Sequence, residues 1–99
     1  MWIGSAAVCL DDKNRILMIQ GKDLVEWAVP SGGLQENESL EDCCIREVKE
    51  ETGYDVQIIK NLFIKEGQAE GGIHYQTHYF EVKLIGGDAN INDPDGLNI

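Results

Sequence analysis

Basic residues are scarce in this chain: eight Lys and Arg stand against eighteen Asp and Glu, a formal charge of −10. Long nucleic acids and anionic membranes are recognised through clustered cations, so neither is expected as a partner. Cysteine is equally thin. Cys9, Cys43 and Cys44 form no CxxC pair and their number is odd. That excludes a disulfide framework and makes a reducing cytoplasm the expected location. His74 and His78 lie four residues apart on an expected strand, and with no thiol pair at ligand spacing they read as core or surface residues, not a zinc site. No apolar run approaches membrane-spanning length, and Met-Trp-Ile-Gly-Ser lacks the basic region that opens a signal peptide. There is no internal repeat and no low-complexity tract.

Ninety-nine residues with 42% apolar content support one domain with a modest core. Residues 3–10 read as a buried strand, and 15–20 as its partner across the turn at Asp11-Asp12-Lys13-Asn14. Gly21 to Glu26 is polar loop. Trp27-Ala28-Val29 is a short strand stopped by Pro30, and Ser31-Gly32-Gly33 reads as a flexible turn. Strands are expected again over 56–65 and 73–84, with a Gly-containing loop over 66–72 and a polar loop over 86–96. A loop of that length normally leads to another element, so the chain is expected to be a C-terminally truncated single domain over 1–99.

The helix is the informative element. Ser39 is a suitable N-cap, with Asp42 as a short-armed capping box, and Gly53 can take the positive φ of a C-terminal stop. Leu40, Cys44 and Val48 recur every four residues, and Ile45 widens this stripe toward a core. The helix is therefore expected from about Leu40 to Thr52. Glu47, Glu50 and Glu51 leave it from one narrow side. Stacked like charges destabilise a helix, and anions near its C-terminal half oppose the macrodipole. A hard dication removes both penalties by taking carboxylate oxygens as ligands. Arg46 neighbours Glu50 at i,i+4 and can reach back to Glu38, where its fork would hold carboxylates in fixed orientation. The alternative is a solvated helix whose acids cluster by accident, relieved by Arg46 and Lys49.

Spacing decides between these readings. Gly32, five residues, Glu38, seven residues, then Arg46-Glu47-Val48-Lys49-Glu50-Glu51-Thr52-Gly53-Tyr54 resembles the Nudix box, G-x5-E-x7-R-E-U-x-E-E-x-G-U with U apolar. Tyr54 replaces the usual aliphatic. Trp27-Ala28-Val29-Pro30 resembles the W-x-(L/V)-P that leads into the box. Ser31 stands where a glycine is frequent, while Gln35 and Asn37 replace a frequent Glu and Gly. Asn37 is the milder change because Asn tolerates left-handed backbone.

The resemblance implies an α/β fold, an α/β/α sandwich around a mixed sheet, with the C-terminal strand and helix missing after Ile99. It implies hydrolysis of a pyrophosphate bond in a nucleoside diphosphate linked to another moiety. Mg2+, or Mn2+, would be held by Glu47, Glu50, Glu51 and the Ser31 carbonyl. Catalytic work would fall to Glu47, Glu50 and Arg46, with Arg46 keeping the ligands preorganised. A base is expected from a later carboxylate: Glu70, Asp88, Asp93 or Asp95, or one beyond Ile99. Trp27, Glu38 and Tyr79 are candidate substrate contacts; Trp27, Tyr75 and Tyr79 could stack on a nucleobase, although core or sheet packing is the first expectation for each. The expected partner is a small nucleotide, and a homodimer is left open. The competing class is a non-catalytic nucleotide-binding module, or an inactive truncated form.

Overall fold

The computed structural model describes residues 1–20 and 27–88. Its elements are β1 (Trp2–Cys9), β2 (Ile19–Gln20), β3 (Trp27–Ala28), β4 (Ser31–Gly33), α1 (Leu40–Thr52), β5 (Tyr54–Gln68), a 3-10 turn at Glu70–Gly72, and β6 (His74–Gly87). Four strands form a mixed sheet in the order β4-β1-β6-β5. β1 runs parallel to β6 and antiparallel to β4, while β5 and β6 make a long antiparallel hairpin. β2 and β3 pair separately as a two-stranded sheet.

The central parallel pair explains the small residues of β1. Ser5, Ala6 and Ala7 are all buried, as a strand enclosed on both faces requires. α1 lies across one face, and its stripe meets the sheet there. Cys44 and Val48 join Ala7, Cys9, Val56, Phe80 and Val82 in the core, with Leu40, Ile45, Leu17, Tyr54 and Ile58 packed around them. Full burial of a side chain such as Val48 is worth about 1.5–3 kcal/mol. The Ser5 hydroxyl donates to the Leu40 carbonyl at 2.7 Å, pinning the helix start to β1.

Both helix ends fall where capping chemistry places them. The Ser39 side chain accepts from Asp42 N at 3.0 Å, and Gly53 takes φ 84° and donates its N–H to the Lys49 carbonyl. Asn37 takes φ 62°, the conformation its amide tolerates.

Four sequence expectations change. Ser31–Gly33 is no flexible turn but an edge strand, because Gly4 of β1 lies opposite Gly33 and two glycines bring the chains close. The return strand over 15–20 shrinks to Ile19–Gln20 plus one isolated bridge, Leu10 to Ile16, since Ile19 and Gln20 pair with β3 instead of β1. The loop over 66–72 shortens, for β5 continues to Gln68 and pairs there with His74, with Tyr75 lying against Gly67. Gly86 and Gly87 likewise extend β6. The rest of the expected 86–96 loop beyond Asp88, with Asp93 and Asp95, lies outside the described residues, as does the 21–26 loop.

Candidate active site

The acidic side of α1 does not face open water along its length. It rests on the short edge strand β4, and the pairing of that strand explains how. Ala7 N donates to Pro30 O and Leu34 N to Ile3 O, both at 2.9 Å. Antiparallel ladders alternate, so the pairs Gly4–Gly33 and Ala6–Ser31 between these bonds are non-hydrogen-bonded ones. Ser31 and Gly33 therefore turn their N–H and C=O groups away from β1. There α1 meets them: Ser31 N donates to Glu51 Oε1 at 2.9 Å, and Gly33 O accepts from Arg46 Nη2 at 3.0 Å. Gly32, between them, lies directly against the Glu47 carboxylate, and any Cβ at that position would collide with it.

Arg46 organises the cluster. Its Nε and Nη2 grip both oxygens of Glu38 at 2.7 and 3.0 Å, a bidentate fork. Nη1 reaches Glu47 at 2.6 Å and Glu50 at 3.2 Å. Glu38 also accepts from Gln35 N at 3.1 Å, which closes the loop ahead of the helix. Glu38 is thus held by Arg46 and the loop backbone. Its carboxyl is drawn down to about 2, first by the Arg46 hydrogen bond. The Arg46 guanidinium is held well above its ordinary value, first by Glu38. Glu47 moves the other way: burial raises it, with Arg46 opposing and Glu50 adding repulsion. Glu50 stays more than half exposed.

Sequence reading missed Cys43. It is fully buried, and its thiol lies 3.6 Å from Gly32 O and 3.8 Å from Arg46 Nη2. The signal was present, because residues 43, 46, 47 and 50 form one i, i+3, i+4, i+7 column on a helix. All three cysteines are buried and free, with the Cys44 thiol pushed up to about 12 by burial.

The remaining candidates are dispersed. Trp27 is half exposed on β3, and Tyr79 stacks on Phe63 with ring centroids 4.4 Å apart. Asp88 follows Gly87, which pairs with Tyr54, so it stands at the end of the sheet where α1 finishes. Glu70 stands at the opposite end, in the turn between β5 and β6. Among the described residues no three acidic, histidine or cysteine side chains are already gathered at metal-holding distances. The donor set is nonetheless chemically apt for a hard dication: Glu47, Glu50 and Glu51 are carboxylates within five residues of one helix, with Glu51 at the outward backbone of Ser31 and Glu47 against Gly32. No described helix is long and apolar enough to cross a membrane.

Comparison with known proteins agrees with this architecture. The chain is 33% identical over 91 residues to the mRNA-decapping enzyme subunit 2 of Saccharomyces cerevisiae, covering 90% of this chain and 9% of that protein. It is 28% identical over 86 residues to a putative 8-oxo-dGTP diphosphatase of Bacillus subtilis, covering 87% of this chain and 56% of that one. The chain thus spans little more than half of one relative and a small part of the other. In fold it is similar to the MutT NUDIX hydrolase of Burkholderia pseudomallei, with a TM-score of 0.85 and 24% identity over 99% of this chain and 78% of that one. The mixed sheet and its helix match one side of the expected α/β/α sandwich. The NUDIX domain family matches residues 2–98, and the chain belongs to the Nudix hydrolase family.

Proposed function

We propose that the protein hydrolyses the pyrophosphate bond of a nucleoside diphosphate linked to another moiety, with Mg2+ or Mn2+ held by Glu47, Glu50, Glu51 and the Ser31 carbonyl. The supporting observation is the charge placement along β4. Glu38, Glu47 and Glu50 gather around one guanidinium, Arg46, and Glu51 is held beside them on the Ser31 N–H. A fold that needed only stability would not gather so many carboxylates on one side of a helix. When bound, the dication neutralises the pyrophosphate and lowers the pKa of an attacking water.

The chain's own residues prepare for this. Arg46 fixes Glu38 and Glu47, so the carboxylates do not collapse onto one another or swing into water. Gly32 clears the space that Glu47 occupies. The hydrogen bond from Ser31 N sets Glu51 beside the strand edge. Burial raises the proton affinity of Glu47, as suits a ligand that gains a cation by displacing a proton. We assign Glu47 and Glu50 to the metal rather than to proton abstraction. Among the described residues Asp88 is the candidate base at this end of the sheet.

Small nucleotides fit better than capped or long RNA, because the −10 chain offers only eight basic residues. Three buried free thiols favour a reducing, cytoplasmic setting. The test is hydrolysis of NTPs, ADP-ribose, dinucleoside polyphosphates and nucleotide sugars, with and without Mg2+, read as the nucleotide and the pyrophosphate or sugar phosphate released. Glu51→Gln should abolish turnover in a protein that stays folded, and unchanged activity would remove this mechanism. A second reading, nucleotide binding without turnover, draws support from the hydrogen bonds by which Arg46 and Ser31 already engage these carboxylates. In that case the panel binds but none of it is cleaved.

A further inference from the structure

The face of the sheet opposite α1 carries a feature the hydrolytic reading does not use. Gly4 and Gly33 oppose one another as a non-hydrogen-bonded pair, and the Trp2 indole lies across both. A Cβ at Gly4 would strike the six-membered part of the ring, and one at Gly33 would stand 3.0 Å from Nε1. A ring laid against two glycines turns its other face outward, and Trp2 remains 41% exposed. Its cross-strand neighbour Tyr75 does not cover it, for the Tyr75 ring lies over Gly67 on the far side.

The position matters more than the exposure. Gly33, beneath the indole, is the residue whose carbonyl Arg46 holds. Ser31, beside Glu51, is two residues along the same strand, about 7 Å at the usual rise. One three-residue edge strand thus joins the carboxylate cluster on one side to a flat, outward-facing aromatic surface on the other.

We propose that Trp2 is the surface on which the nucleobase of the substrate stacks while its pyrophosphate lies at the Ser31 edge. The proposal rests on the hydrolase reading above and gives it a determinant of substrate class: compounds with a base are preferred over base-free pyrophosphates. Every base has a π-face, so stacking here selects for a base without choosing among them.

Two measurements on the full chain test it. In a Trp27→Phe background Trp2 is the remaining tryptophan, and its emission is followed during titration with ADP, GDP, UDP and CDP, and with inorganic pyrophosphate, all without Mg2+. Saturable quenching by the nucleotides and none by pyrophosphate is expected. For a nucleotide that the wild type hydrolyses, Trp2→Leu should raise KM about tenfold with kcat within about twofold, and Trp2→Phe should restore most of the difference. Unchanged emission with all four nucleotides overturns the proposal. So does a Trp2→Leu variant that loses kcat and thermal midpoint together without a selective rise in KM, which leaves the ring as a cover for Gly4 and Gly33. If no compound is hydrolysed by the wild type, the hydrolase reading falls, and the emission titration still decides whether a base binds Trp2.

Discussion

Replacing Arg46 by Ala tests the electrostatic centre of the site. Arg46 makes hydrogen bonds to Glu38, Glu47, Glu50 and the Gly33 carbonyl, and its side chain is 20% exposed. Exposed ion pairs are worth at most about 1 kcal/mol, whereas removing one partner of a buried pair costs about 3–5 kcal/mol. A mostly covered guanidinium with one backbone and three carboxylate partners falls between, so Arg46→Ala should cost about 2–4 kcal/mol. For a domain of this size that lowers the thermal midpoint by roughly 10–25 °C. Arg46→Lys should recover part of the loss but not the fork on Glu38, which one ammonium cannot reproduce. The assay is urea denaturation of wild type and both variants without divalent cation, read at constant m-value. A change below about 0.5 kcal/mol for Arg46→Ala would refute the reasoning, since surface substitutions already span that range. So would Lys matching Arg, which would show that charge alone matters and orientation does not.

Gly32→Ala pushes into the flexible end of Glu47 rather than into backbone, so it should cost about 1 kcal/mol or less in stability. Apparent Mg2+ affinity should nonetheless fall at least about tenfold, and equal effects on both quantities would argue against Glu47 as a ligand. The Glu38 carboxyl is drawn from 4.5 to about 2 in the folded chain, so its stabilising contribution is complete above about pH 4.5. That contribution is lost as pH falls through about 2. Glu38→Gln should flatten the acid limb of the stability curve in that window, and an unchanged limb would discount the Arg46 fork. Glu47, raised by burial, contributes with the opposite sign, favouring the fold as it takes a proton. Ser39→Ala should cost about 1 kcal/mol through the lost bond to Asp42 N, checked by thermal melting. Mg2+ at a hundredfold excess over its Kd should add about 2.7 kcal/mol, and a midpoint indifferent to Mg2+ in wild type would sink the metal assignment.

What was legible in the sequence was local. Ser39 and Gly53 mark the ends of α1 because capping is decided within a few residues, and the structure starts the helix at Leu40 and stops it at Thr52. The four-residue stripe located Cys44 and Val48 in the core for the same reason. β4 was not legible, because Ser-Gly-Gly has neither strand propensity nor alternation and becomes a strand only opposite Gly4. The short return strand failed likewise: Ile19 and Gln20 choose β3 over β1, a non-local competition. At the site, charged residues were legible through spacing, but what they touch was not. Cys43 was read only as one of three unpaired cysteines, and Trp2 lay just ahead of the strand expected over 3–10. Each acquires its place only once β4 is present.

β4 therefore explains why the helix can bear its charge. Glu51 sits in the final turn of α1, where the macrodipole opposes an anion, and Lys49 offsets this only partly from a side chain engaged with Gly53 and Asp55. The Ser31 N–H supplies a counter-dipole. It is available because the Ala6–Ser31 pair is non-hydrogen-bonded and directs it outward. Shifting β4 by one residue would turn Ser31 inward and present Gly32 in its place. It would also move Gly33 away from Arg46 and Gly32 away from the Glu47 carboxylate, where any side chain collides. The glycine that begins the box and the glutamates that end it are thus one steric and electrostatic unit, set by strand register as much as by helical spacing.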